Sequence, residues 1–189
     1  MKFSRRRFGQ VIGVIVVIAG ALGFGGLLPG DARDTQLPAG PYSVKNVHDG
    51  DSFNLQASNN ATVRVRIAGI DAPEKTQPYS AKAKVALETM LNSGPIRLEP
   101  VTVDRFDRWV ANVYVNDENV GLAQINQGWA WYFRRYKDDL ELSQQLRYEF
   151  AEQTARQKRL GLWAGIDAGN PALAPEPPWR FRERMRKEK

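Results

Sequence analysis

The sequence predicts a mainly β domain with helices, a five-stranded Greek-key barrel carrying three α-helices. Three observations predict it. Short segments alternate apolar and polar residues, as in TVRVRI at 62–67 and WVANVYV at 109–115. Turn-forming residues, Asp49-Gly50-Asp51 and Asn59-Asn60, separate the first such segments. Segments of helical spacing lie between and after them and close on glycine.

The elements run in order. From Tyr42, YSVKNV reads as a strand, the DGD turn follows, then SFNLQA, the Asn-Asn turn and TVRVRIAGI. SAKAKVALETML places Ala83, Leu87, Met90 and Leu91 on one helical face and ends near Gly94. IRLEPVTV and WVANVYV are two more strands, split by the charged turn DRFDR at 104–108. GLAQINQG is a short helix stopped by Gly128. A long helix ends at Gly161 and carries Leu142, Leu146 and Phe150 at four-residue spacing. That order suits a small barrel of the oligonucleotide-binding type.

Composition narrows the chemistry. The 189 residues are 42% hydrophobic and 25% charged, as in a globular chain. Cysteine is absent and His48 is the single histidine, which excludes disulfides, thiol nucleophiles and histidine-rich metal sites. His48 itself reads as a strand-end residue without catalytic work. The net charge of +6 sits at the ends: residues 1–32 carry +3 and 177–189 carry +4, leaving −1 between them. Bulk charge therefore gives no argument that the domain binds polyanions.

The N-terminus, MKFSRRRFGQ followed by an uncharged apolar run to Leu28, reads as an export signal or a membrane anchor over residues 1–32. SRRRF resembles a twin-arginine signal, and residues 8–28 are long enough to anchor. Either way, the rest of the chain is expected outside the cytoplasm, periplasmic or secreted. A polar linker spans 33–40, the domain 41–165, and a Pro-rich then basic tail 166–189. The tail reads as a solvated end or as an electrostatic contact to nucleic acid or lipid.

Three segments supply polar residues that a barrel does not need. They are Asp49-Gly50-Asp51, Arg66 with Asp71 and Glu74 in RVRIAGIDAPE, and Arg108 in DRFDR. Each alone is ordinary turn or surface chemistry. Together VHDGDSF, RVRIAGIDAPE, DRFDRWVANVYV, GWAWYFRRY and KRLGLW resemble the staphylococcal-nuclease (thermonuclease) family from about Tyr42 to Trp163.

That resemblance implies a barrel of the same type and Ca²⁺-dependent endonucleolytic hydrolysis of DNA and RNA by a monomer. It implies Asp51 and Asp71 as side-chain metal ligands, Ala72 as a carbonyl ligand and Asp49 as their support. It implies Glu74 as the catalytic carboxylate, with Arg66 and Arg108 on the phosphate. The chemistry is coherent. A phosphodiester gains negative charge as water attacks, and guanidinium forks stay ionised and match its oxygens. Two carboxylates, a carbonyl and waters suit a hard cation such as Ca²⁺, without excluding Mg²⁺ or Mn²⁺. Pro73 fixes the backbone between Asp71 and Glu74. Arg64, on the same strand face, is assigned to solvent or to general phosphate attraction.

The chain departs from the family pattern at several positions. Ser52 stands where threonine is frequent, Phe106 and Asp107 where founding members have tyrosine and glycine, and Arg134 where a tyrosine lines the binding wall. Tyr136 keeps its tyrosine. Trp129, Trp131, Tyr132, Arg135 and Tyr136 form an aromatic and basic cluster that could stack bases, although Trp129 and Trp131 are expected in the core. The competing reading is the same barrel as a non-catalytic module binding nucleic acid or protein.

Overall fold

The computed structural model describes residues 36–188. The expected signal or anchor lies outside these described residues. Among the described residues no helix is long and apolar enough to cross a membrane.

Strands β1 (Ser43–Val47), β2 (Ser52–Gln56) and β3 (Thr62–Ile67) form an antiparallel meander. Its alternation matches the pleat: Val63, Val65 and Ile67 are buried while Arg64 is exposed. A two-residue strand, β4 (Ile70–Asp71), and helix α1 (Ser80–Leu91) come next. Helix α1 buries Ala83, Leu87 and Leu91, the face its spacing predicts, and Met90 packs at the margin. Strands β5 (Ile96–Val103) and β6 (Trp109–Val115) form a hairpin across DRFDR, and β6 pairs parallel with β3.

The sheet order is β1-β2-β3-β6-β5, and a short β7 (Glu118–Asn119) pairs with β6. Helix α2 (Val120–Asn126) is capped by the Asn119 side chain, which accepts from Leu122 N–H at 2.8 Å. Strand β8 (Trp131–Tyr132) pairs with β4 as a separate two-stranded ribbon.

Two features differ from the expected barrel. Among the described residues no ladder joins β5 back to β1, so the hydrogen-bonded sheet is not closed. Pro100 gives β5 a residue without a ladder donor, beside a register shift, as suits an edge strand. The ribbon and β7 also add short strands that periodicity cannot reveal in two residues.

Helix α3 (Leu142–Gln157) occupies the predicted place but turns the other way. Leu142, Leu146 and Phe150 are 69%, 60% and 71% exposed, while Tyr148, Ala151, Glu152 and Ala155 face inward. Tyr148 decides this orientation. Its ring packs edge-on to Tyr132, and its hydroxyl donates to Asn119 Oδ1 at 2.9 Å.

The tail also departs from expectation. After 3₁₀ turns at Gly161–Asp167 and Pro171–Leu173, residues Pro178–Lys187 form helix α4. Proline at its first position supplies a pre-set φ where no N–H is needed. Trp179 at its start stacks on Phe133, with ring centroids 5.3 Å apart.

The core lies between the sheet and helices α1–α3, with Phe53, Leu55, Val65, Leu87, Ile125 and Tyr148 all but inaccessible. A satellite cluster joins Trp131, Ala155, Leu162 and Trp163, the two indoles meeting edge-to-face. Gly69 connects this packing to β4. Its φ is +70°, and an added Cβ would stand 2.4 Å from a Leu140 methyl. Gly69→Ala is therefore expected to lose about 2 kcal/mol, from left-handed strain and overpacking together. Urea unfolding at constant m-value checks it.

Candidate active site

The DGD turn is built by Asp49. Its Oδ1 accepts from Asp51 N–H at 3.0 Å, Ser52 N–H at 2.8 Å and Ser52 Oγ at 2.8 Å. This side-chain turn sets Asp51 at the mouth of β2. Gly50 is required by proximity, since a Cβ there would lie 2.7 Å from the Ala72 methyl and 2.8 Å from the Ala83 methyl. Gln124, wholly buried, ties α2 to both neighbours through the carbonyls of Gly50 (2.7 Å) and Ala83 (3.1 Å).

Asp51 and Asp71 are 2% and 1% exposed. Asp51 Oδ2 accepts from Ala72 N–H at 2.7 Å, and Oδ1 from Arg66 Nη1 in a short ion pair. The second Arg66 nitrogen donates to Asp71 Oδ1 at 3.0 Å and to the Ile70 carbonyl at 3.2 Å. Arg66 reaches both because β3 turns at Gly69 and returns through β4 beside it.

Glu74 stands at the rim. Its backbone N–H donates to Gln77 Oε1 at 2.9 Å, and Gln77 N–H returns a bond to the Glu74 carbonyl at 2.7 Å. Asp51, Arg66 and Asp71 thus form one linked group. Glu74 joins it through Arg182 of α4, which bonds Glu74 Oε1 at 2.6 Å and Asp71 Oδ2 at 2.8 Å.

Arg108 stands apart. Its backbone N–H and Nε bond Asp104 at 3.0 and 2.8 Å, and no hydrogen bond or ion pair links it to the other four residues. The parallel register, Val65 opposite Trp109, nevertheless seats it at the start of the strand beside β3. The Phe106 ring, half exposed, lies 5.5 Å from the Arg108 guanidinium.

The electrostatics come from burial. Loss of solvent pushes the Asp51 carboxyl well above the usual carboxylate range. Arg66 pulls it down, Asp49 and Asp71 push it further up, and the Ala72 N–H opposes them. Burial works against the Arg66 charge, but Asp51 and then Asp71 more than restore it, so its proton is held more tightly than usual. The group carries more negative charge than Arg66 alone offsets. Its donors are all hard oxygens, and this chemistry fits an oxygen-seeking divalent ion. Among the described residues no three His, Asp or Glu side chains form a pre-assembled cation cage.

Of the aromatic cluster, Trp131 and Tyr132 are buried, as expected for Trp131, whereas Trp129 is only partly buried, against expectation, and Tyr136 is half exposed. Arg134 is tied to α3 by Glu152 Oε2 at 2.9 Å, and Glu152 also accepts from Tyr132 N–H. A hollow of about 280 Å³ is lined by Tyr132, Phe133, Arg134, Arg135 and Trp179. None of the carboxylates lines it. Sequence reasoning missed Gln77 and Arg182; Gln77 holds the acidic corner and also bonds the Glu176 carbonyl at 2.8 Å. Nothing in a loop glutamine or an alternating basic tail marks such a role.

Comparison with known proteins points to one family. A family model described as staphylococcal nuclease homologue matches residues 64–165. A protein of Haemophilus influenzae named an uncharacterized endonuclease is 32% identical over 142 residues, covering 75% of this chain and 74% of that one. The protein ParB of Escherichia coli is 33% identical over 148 residues, with 74% and 77% covered. A staphylococcal-like nuclease of Arabidopsis thaliana, CAN1, is 34% identical over 123 residues; the match takes in 65% of this chain but 34% of that longer one.

Proposed function

This chain belongs to the staphylococcal nuclease family, and we propose that it is a Ca²⁺-dependent endonuclease hydrolysing the phosphodiester bonds of DNA and RNA. The observation that carries the reading is the Asp51–Arg66–Asp71 group with Glu74 beside it, acid and guanidinium interleaved at one end of β3. A degenerate binding module would have no need to bury two carboxyl groups around one arginine.

In this reading Asp51, Asp71 and the Ala72 carbonyl would hold the ion. Bound there, Ca²⁺ supplies Lewis-acid charge to a phosphate oxygen and acidifies water. Glu74 accepts the proton of the attacking water at its carboxylate and keeps that water aimed at phosphorus. Arg66 and Arg108 approach the non-bridging oxygens from adjacent strands and stabilise the charge that develops there. Water oxygen bonds to phosphorus as the bond from phosphorus to the 5′ oxygen breaks. Asp49 and Gln77 position the groups without touching the phosphate. Exposed Tyr136 and the hollow beside Trp179 offer stacking faces for bases.

The test is hydrolysis of single-stranded DNA with Ca²⁺, and again with excess chelator. Activity is expected to vanish in chelator and to return with Ca²⁺. Undiminished cutting in chelator would remove the metal from the mechanism. Export is proposed from the basic and apolar N-terminus, and mass spectrometry of the mature chain distinguishes cleavage after about Ala32 from retention as an anchor.

A further inference from the structure

Arg182 stands where the sequence suggested no site residue. Its Nη1 donates to Glu74 Oε1 at 2.6 Å and to Asp71 Oδ1 at 3.2 Å, and its Nη2 to Asp71 Oδ2 at 2.8 Å. Arg66 already bonds Asp71 Oδ1, so both oxygens of Asp71 face guanidinium N–H groups. Both oxygens of Asp51 are likewise taken, by Arg66 and by the Ala72 N–H. Three guanidinium N–H bonds thus fall on Asp71, so a cation held there competes with arginine for its oxygens.

We propose that α4 is a built-in competitor of the divalent cation. Arg182 neutralises Asp71 and Glu74 while the ion is absent, and α4 must release them before ion and diester can enter. This inference rests on the nuclease reading of the same site.

The energetics support both halves. Asp71 is 1% exposed, and a carboxylate so buried needs compensating charge, which Arg66 shares with Asp51. A bidentate guanidinium is a strong substitute for a cation. Yet α4 is held lightly. Pro178 is its one buried residue, and the side chain of Arg182 is 41% exposed. Beyond Arg182, its docking uses the Trp179–Phe133 stack, the packing of Trp179 at the margin of the Trp131–Trp163 cluster and, just upstream, the Gln77 bond to the Glu176 carbonyl. Other ion pairs of the segment, Arg184 with Glu176 and Lys187 with Glu183, lie within it and hold it to nothing else. A helix with so few buried apolar contacts opens at low cost. If the released state is about a tenth of the population, the apparent cation affinity falls about tenfold, and a saturating cation, binding the released state alone, drives α4 off the site.

The test uses the full chain, stripped of metal, with Ca²⁺ alone as the probe in titration calorimetry. Arg182→Gln is expected to bind Ca²⁺ about tenfold more tightly than the unsubstituted chain. Trp179→Ala loosens docking without touching a carboxylate, so it should tighten binding too, by a smaller factor. Saturating Ca²⁺ should raise amide exchange across 178–187 in the unsubstituted chain. Equal or weaker Ca²⁺ binding in both variants, with exchange unmoved by Ca²⁺, overturns the inference and leaves the metal reading standing. Failure of all three proteins to bind Ca²⁺ overturns both.

Discussion

Glu74→Gln is expected to lower the rate of single-stranded DNA hydrolysis by about 10³-fold, the range of a lost general base. The amide keeps the shape of the side chain but cannot take a proton from water. Its backbone contacts with Gln77 do not depend on the carboxylate, so the corner before α1 should keep its form. The Arg182–Glu74 ion pair is more than a third exposed on both sides, and its loss should cost under about 1 kcal/mol. The effect belongs in kcat with KM nearly unchanged, because the group acts as water attacks. A full-rate variant would remove Glu74 from the role of base.

Arg66→Ala is expected to be the most destabilising change in the site, by about 3–5 kcal/mol in chelator, because it leaves buried Asp51 without its arginine and buried Asp71 with Arg182 alone. Urea unfolding measures it. The deficit has a pH signature. Burial already raises the Asp51 carboxyl, and removing Arg66 raises it further, so the folded variant binds more protons than its unfolded chain. Stability relative to the parent should then recover as pH falls through the raised value toward the ordinary carboxylate range, and worsen as pH rises. A pH-independent difference would show that Arg66 does not hold these charges. Arg66→Lys should regain part of the stability but little of the activity, since an ammonium lacks the fork that bridges Asp51 and Asp71.

Much of this architecture was legible from local pattern. Strands with one buried face announce themselves by alternation, as at Val63, Val65 and Ile67, and α1 by Ala83, Leu87 and Leu91. RVRIAGIDAPE carried its own geometry, since Gly69 reverses the strand and Pro73 stiffens the backbone leading into Glu74. The features that stayed hidden depend on partners distant in sequence. The face that α3 buries was settled by Tyr148 meeting Asn119 and Tyr132, against an apolar stripe that suggested otherwise. Two-residue strands have no period to read. Arg182 looked like one charge in a basic tail because its meaning lies in Asp71, 111 positions away along the chain.

The parallel seam between β3 and β6 has a consequence for how the molecule assembles. Hairpins close between neighbours, so β1, β2 and β3 can zip early and bring Asp51 against Arg66. The seam cannot form until β4, α1 and β5 have been spanned, and the chain entropy of that long loop is lost before any contact repays it. Refolding should therefore pass through a barrier at which the first arginine is already clamped while the second still moves with an undocked hairpin.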